Sequence, residues 1–340
     1  MISRHVRHRL YALGLLALGA CRTTDPDDGP QWVEVAPAID GGVLLAAAAL
    51  GQDLVFVGGD LSSQPGVTPG GPGYIVRLRD GALCREDDVS DNTLWWIAAS
   101  SDDEWYAVGE AGTILHERQG ERTDESVQTE AVLYGIFDQG QRVVAVGGDV
   151  WNSNHGEVWL RDAGGSWSAL ATDLPGVVFK VWDRWLVGDG VAWTLEGDTL
   201  VEHFPPDQAR LLTVHGRASD DVWAVGGSQQ PVLLHWTGSA WESIDVDPRC
   251  FSSGLNGVWV SPQGEVWLAG FFGGIGMYRD GTWECPERGV TSQHFHAVVG
   301  HQDSRFFAGG DLFGAGDNIG TVLQQGETAP VVVSSRLPPC

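Results

Sequence analysis

Three glycine pairs in the sequence are each followed by aspartate: GGD at 58–60, 147–149 and 309–311. They put Asp60, Asp149 and Asp311 at equivalent places in a recurring pattern, with Asn152, Asn154, His155, Asp317 and Asn318 shortly after. Carboxylate and amide oxygens collected this way suit Ca2+, or a cationic group on a ligand. Asp and Asn after glycine are also good turn residues, and the spacing is not that of an EF-hand loop. His294 and His296 are further candidates for metal ligation or proton transfer, without an H-x-x-x-H or H-E-x-x-H pattern around them. His116 and His235 share an L-H-[EW] setting and read as structural. No Ser–His–Asp set, nucleophile elbow, P-loop or dinucleotide fingerprint is present. Lys180 is the sole lysine, in FKVW within an apolar run. No catalytic residue can be assigned, and Ca2+ is the one cofactor these residues suggest.

The elements that must position these residues repeat along the chain. SDDVWAVGG (219–227) has relatives in LVFVGG, EWYAVG, RVVAVGG, RWLVG, EVWLAG and RFFAGG. Their closing glycines lie at 58, 109, 147, 188, 226, 270 and 309. Seven units with a period of about 40 residues fit propeller blades rather than helical solenoids. Short apolar runs bounded by glycine, with no helical periodicity, require strands. One unit reads as inner strand a (211–215), b (222–225), c (232–236) and outer strand d (240–244). The chain is therefore expected to be a seven-bladed, all-β propeller of four-stranded antiparallel blades. The glycine after strand b is expected to permit the turn into c, tryptophans in b, c and d to fill the widening wedge, and small residues to suit the inner part. QWVEVAP (31–37) looks like a strand d without a blade of its own, and would close the ring by completing blade seven. VVVSS (331–335) is the alternative for that place. The b–c and d–a connections share one face, which gathers the GGD loops, His155, His294 and His296 there.

DDVWAVG…LLHWTGSAWE resembles the tandem WAVG-type repeats of secreted and lipoprotein β-propellers of bacteria. These are distantly similar to kelch-like and photosystem-assembly-factor-like propellers. The likeness covers nearly all of the chain after residue 30 and is clearest at 92–118 and 209–285. The glycine pairs match kelch repeats, although kelch Tyr and Trp spacing is not kept. The S-x-D-x-G-x-T-W box of sialidase-like propellers is absent, which removes the main support for a glycosidase. The resemblance implies the fold and no single activity.

At the start, Arg4, Arg7 and Arg9 precede LYALGLLALGA, an apolar run too short to span a bilayer and laid out like an export signal. LGAC (18–21) resembles the bacterial lipobox, which implies cleavage before Cys21 and acylation of that residue (palmitate among its acyl chains). An ordinary secretory signal with an incidental Cys is the simpler alternative. The expected layout is a signal peptide at 1–20, a flexible tether at 21–30 and the propeller at 31–340. By resemblance to bacterial sorting signals, Arg22 favours the outer membrane, on the periplasmic side or the cell surface. With 20 Lys+Arg and 45 Asp+Glu, losing three arginines leaves 17 − 45 = −28. Such a surface repels nucleic acid.

Cys84, Cys250, Cys285 and Cys340 remain after Cys21, an even number that suits disulfides in an exported chain. Three pairings are open. The repeat places Cys250 and Cys285 on the outer rims of blades five and six. Cys84 lies on the rim of blade one and Cys340 trails from blade seven, which favours 250–285 and 84–340. The leading functional reading is a monomeric, membrane-anchored binding or scaffold propeller, whose acidic loop face meets an envelope protein or glycan. The alternative is a secreted hydrolase or lyase with its site on the same face.

Overall fold

The computed structural model describes residues 31–61, 70–150, 152–286, 291–310, 319–326 and 336–340. Strands of the described residues form seven four-stranded antiparallel sheets. The inner strands are Val43–Leu50, Leu94–Ser101, Val132–Asp138, Val178–Trp182, Leu211–Ala218, Leu255–Val260 and His294–His301. Each touches the next, and the seventh touches the first, so the ring is closed. The outer strand of blade seven is Gln31–Ile39, paired antiparallel to Gly320–Gly326 with Trp32 opposite Gln325. The first and last described strands therefore meet at one seam. The alternative segment, 331–335, lies outside the described residues.

The core is a series of wedges between neighbouring blades. Strand alternation sends successive side chains to opposite sheet faces, and Glu104–Gly109 shows the result. Trp105 and Ala107 join the cluster between blades one and two, while Tyr106 and Val108 join the one between blades two and three. In Asp221–Gly226, Val222 and Ala224 pack toward blade four, and Trp223 and Val225 toward blade six. Alternation also explains the acid that precedes Trp223 and Trp267 by two residues. The Trp223 indole donates to Asp221 at 3.0 Å and the Trp267 indole to Glu265 at 3.0 Å, so a buried N–H is satisfied within its own strand. His235 stacks on Trp223 at 4.0 Å and meets Asp221 at 2.8 Å. His116 similarly stacks on Tyr106 at 4.1 Å between Glu104 and Glu125, each at 2.9 Å. Both histidines are structural.

Two expectations need correction. The glycine closing strand b is not chosen for its turn: Gly58, Gly109, Gly147, Gly188, Gly226 and Gly309 all avoid positive φ. A Cβ on any of them would overlap the carbonyl oxygen at the start of the blade's own inner strand. Close backbone approach is the requirement. We expect Gly226→Ala to cost about 2–3 kcal/mol by overpacking against the Arg210 carbonyl, read from urea denaturation. An unchanged midpoint would contradict this explanation. The inner part is also not reserved for small residues, since Trp95, Trp96, Trp182 and Trp259 lie on inner strands. Local gaps admit two of them, as Gly216 leaves space for Trp182 and Gly300 for Trp259.

Both expected disulfides are present. Cys250–Cys285 joins the rims of blades five and six (Cα–Cα 5.0 Å), and Cys84–Cys340 joins the seam (Cα–Cα 4.9 Å). The last residues are held as well as linked: Arg85 N donates to Pro338 O at 2.9 Å and Cys340 N to Arg85 O at 3.1 Å. They cover the exposed edge of blade one's outer strand, Ala82–Ser90.

Candidate functional site

The two faces of the ring are built differently. On one, the a–b and c–d turns span two to five residues; on the other, b–c and d–a connections run to 13 residues at 60–72 and 11 at 244–254. Long connections on a rigid scaffold are where binding groups are carried. The described part of this loop face is acidic, with Asp60, Glu130, Asp189, Asp207 and Asp245 against Arg210 and Arg249. Arg249 is already paired with Asp247 at 2.6 Å.

The described members of the expected set, Asp60, Asp149, His155, His294 and His296, are on this face but do not form one group. Asp149 acts in its turn: its carboxylate accepts from Asn152 N at 3.0 Å, Ser153 N at 3.3 Å and Ser153 Oγ at 3.1 Å. Asp60 directly follows strand b of blade one, and its carbonyl accepts from Gly71 N at 2.7 Å. Asp311, Asp317 and Cys21 lie outside the described residues. Among the described residues no set of three or more His, Cys, Asp or Glu side chains is arranged to hold a metal ion. His155 belongs to blade three, whereas His294 and His296 belong to blade seven.

His155 lines a polar cleft of about 250 Å³ with Glu130, Asp149, Asn152, Glu157 and neighbours. Its Nδ1 meets Ser153 Oγ, and its Nε2 lies 3.5 Å from the buried Glu157. This succession resembles a nucleophile–base–acid chain, yet the Ser153 hydroxyl is also held by Asp149 and does not line the cleft. The Asn152 and Ser153 amides, which could have faced an oxyanion, are taken by Asp149. The cleft is equipped for polar binding.

Six residues escaped the sequence reading, and a seventh, His296, was read only as a ligand or proton carrier. Every inner strand shifts register against strand b after its first residues, leaving one residue unopposed: Leu45, Trp95, Tyr134, Phe179, Leu212, Asn256 and His296. Such bulges re-aim side chains, and here they form a collar with one member per blade. Trp95 meets Tyr134 at 5.2 Å and His296 at 6.3 Å, and Tyr134 meets Phe179 at 5.4 Å. Arg210 lies over Phe179 at 4.8 Å. Burial, with Lys180 and His294 adding to it, pushes His296 down to about 3, so it is neutral at pH 7 and unsuited to carrying protons there. Glu110 is buried close by, accepts the Gly70 amide at 2.5 Å, and has its carboxyl raised by burial. In these strands the collar residue stands immediately before Ala46, Trp96, Gly135 and Lys180.

Lys180 is buried one residue beyond the collar. Its ammonium donates to the Tyr134 carbonyl and lies 4.1 Å from the Trp96 ring, with no carboxylate paired to it among the described residues. Burial pushes it down to about 7. Gly135 makes room, since a Cβ there would press on the Lys180 backbone.

At the edge of the loop face, blade six turns from b to c through Phe271–Gly274. Gly274 N donates to Phe271 O at 3.0 Å, with φ +53° at Phe272 and +72° at Gly273. Positive φ at both central residues is the signature of a type I′ turn, which favours Asn, Asp or Gly there. Blade two makes the same hairpin with Ala111 and Gly112, at +50° and +68°. A bulky side chain in the left-handed region costs about 1–2 kcal/mol, yet the Phe272 ring is 63% exposed. His294 fixes it, accepting the Phe272 amide at 3.2 Å with its ring 4.7 Å away.

No protein-family model and no curated protein match this sequence. Solved structures do share its architecture. The WD40 β-propeller domain of Doa1 aligns with a TM-score of 0.62 at 11% identity, covering 86% of this chain and 96% of that one. YCF48 bound to a D1 peptide aligns at 0.59 and 17% identity, covering 89% and 98%. YCF48 from Cyanidioschyzon merolae aligns at 0.57 and 16% identity, covering 87% and 98%. At these identities the shared property is the fold, and the chain is similar to these proteins as a β-propeller.

Proposed function

We propose that this is an exported binding propeller, anchored to the outer membrane through an acylated Cys21, that presents its loop face to a protein or glycan ligand. The inequality of the two faces carries the reading: one is trimmed to tight turns while the other bears the long connections, the polar cleft and the acidic surface. The two disulfides suit an oxidising compartment. A structural neighbour was solved with a peptide bound, which supports protein-partner binding for a propeller of this architecture. Ligand capture from solubilised envelope by the immobilised mature protein should be saturable and competed by free protein. Cys21→Ala should move the chain from the membrane to the soluble fraction. Capture that free protein does not compete, or an unmodified N-terminus beyond Cys21, would contradict the two halves of the proposal separately.

A further inference from the structure

We propose that Phe272 is the apolar anchor of the loop face, and that it docks a cationic, aliphatic-bearing segment of a partner protein. The inference rests on the loop face being the binding face. Its first support is the mismatch between residue and backbone. Eleven described non-glycine residues have positive φ, and Phe272 is the one aromatic among Asp, Asn, Gln and Ala. Bulky residues in this region are outliers that mark a constraint beyond the turn itself. Asn or Gly would make the hairpin with less strain.

The second support is that folding gains little from the ring. Phe272 remains 63% exposed, so little apolar surface leaves water when the chain folds. His294 nevertheless holds it through both its backbone amide and its ring. The side chain is thus fixed outward, the arrangement of an anchor whose rotamer is set before binding. Phe204, in the 204–210 connection, is a second phenyl exposed to 63% on the same face.

Charge identifies the partner. Among the described residues, the connections that carry or adjoin these rings hold Asp207 and Asp245, while Arg249 is occupied by Asp247 and Arg210 lies over Phe179. An acidic surface around exposed apolar rings complements a segment that interleaves basic and aliphatic side chains. A partner bearing only carboxylates would be repelled.

The test compares wild type with Phe272→Asn, using fluorescein-labelled peptides that alternate Arg with Leu, Arg with Ser, or Glu with Leu. The Arg–Leu peptide should bind wild type, and Phe272→Asn should weaken it by about tenfold or more, as for a central aromatic anchor. The same variant should melt at an equal or higher temperature, because Asn suits the turn. Loss of binding with gain of stability separates anchoring from misfolding. The Arg–Ser peptide should bind more weakly, and equally to both proteins. Equal Arg–Leu affinity for wild type and Phe272→Asn, or no Arg–Leu binding, would overturn the anchor. Glu–Leu binding as tight as Arg–Leu would overturn the cationic partner. If a bulky adduct on the opposite face at Gln119 blocks binding while one at Asn152 does not, the reading of the loop face fails instead.

Discussion

Replacing Lys180 with Met should remove a rise in stability that the wild-type protein shows between pH 7 and 9.5. Lys180 is buried without a carboxylate partner among the described residues, and its folded value of about 7 lies below the ordinary 10.5. Between those values the unfolded chain binds a proton that the folded chain does not, so stability increases with pH. The penalty is complete below about pH 7 and disappears as pH rises through 10.5. Integrated from pH 7 to 9.5, the wild type should gain about 3 kcal/mol. The window is favourable because this is the sole lysine and because it ends below 10, where the unfolded counterparts of the buried Tyr74 and Tyr134 begin to lose protons that the folded chain keeps. Guanidinium denaturation across the range should give a rising curve for wild type and a flat one for Lys180→Met. Parallel curves would show that the lysine keeps its charge at no cost, through the Trp96 face and the Tyr134 carbonyl.

Reduction of the seam should be the most damaging single covalent change. Cys84 and Cys340 are separated by 256 residues and Cys250 and Cys285 by 35, so the first pair closes a far longer loop in the unfolded chain. On the chain-entropy account its loss should cost about 2–5 kcal/mol, and exceed the loss of the shorter loop by roughly 1–2 kcal/mol. The double variants Cys84→Ser/Cys340→Ser and Cys250→Ser/Cys285→Ser, compared by urea midpoint, measure both. Equal midpoints would mean that native strain or residual unfolded structure outweighs loop length. The seam also depends on Gln31–Ile39, whose Val35, Ala36 and Ile39 are buried in the cluster joining blades seven and one.

The architecture was readable because it is periodic. Closing glycines spaced near 40 residues revealed the blades, the unpartnered QWVEVAP strand revealed the closure, and rim positions revealed both disulfides. The reason for the glycines was not readable, because overlap with the Val43 or Arg210 carbonyl follows from a bulge on another strand. The collar was hidden for the same reason. Leu45, Trp95, Tyr134, Phe179, Leu212, Asn256 and His296 share a backbone defect rather than a residue type, so no motif announces them. Asp149 was chosen correctly as to place, but its oxygens serve the turn it starts. Phe272 passed unnoticed since FFGG reads as one more apolar strand end until its φ is known.

Assignment of ligand binding to the loop face is tested most directly by photo-cross-linking in cells that make the protein. Benzoylphenylalanine would be placed at Asn152, exposed on the loop face, and at Gln119, exposed in a tight c–d turn on the other face. Cross-linking to a discrete partner from Asn152 and none from Gln119 is the expected result. A discrete partner captured from Gln119 and not from Asn152 would contradict it.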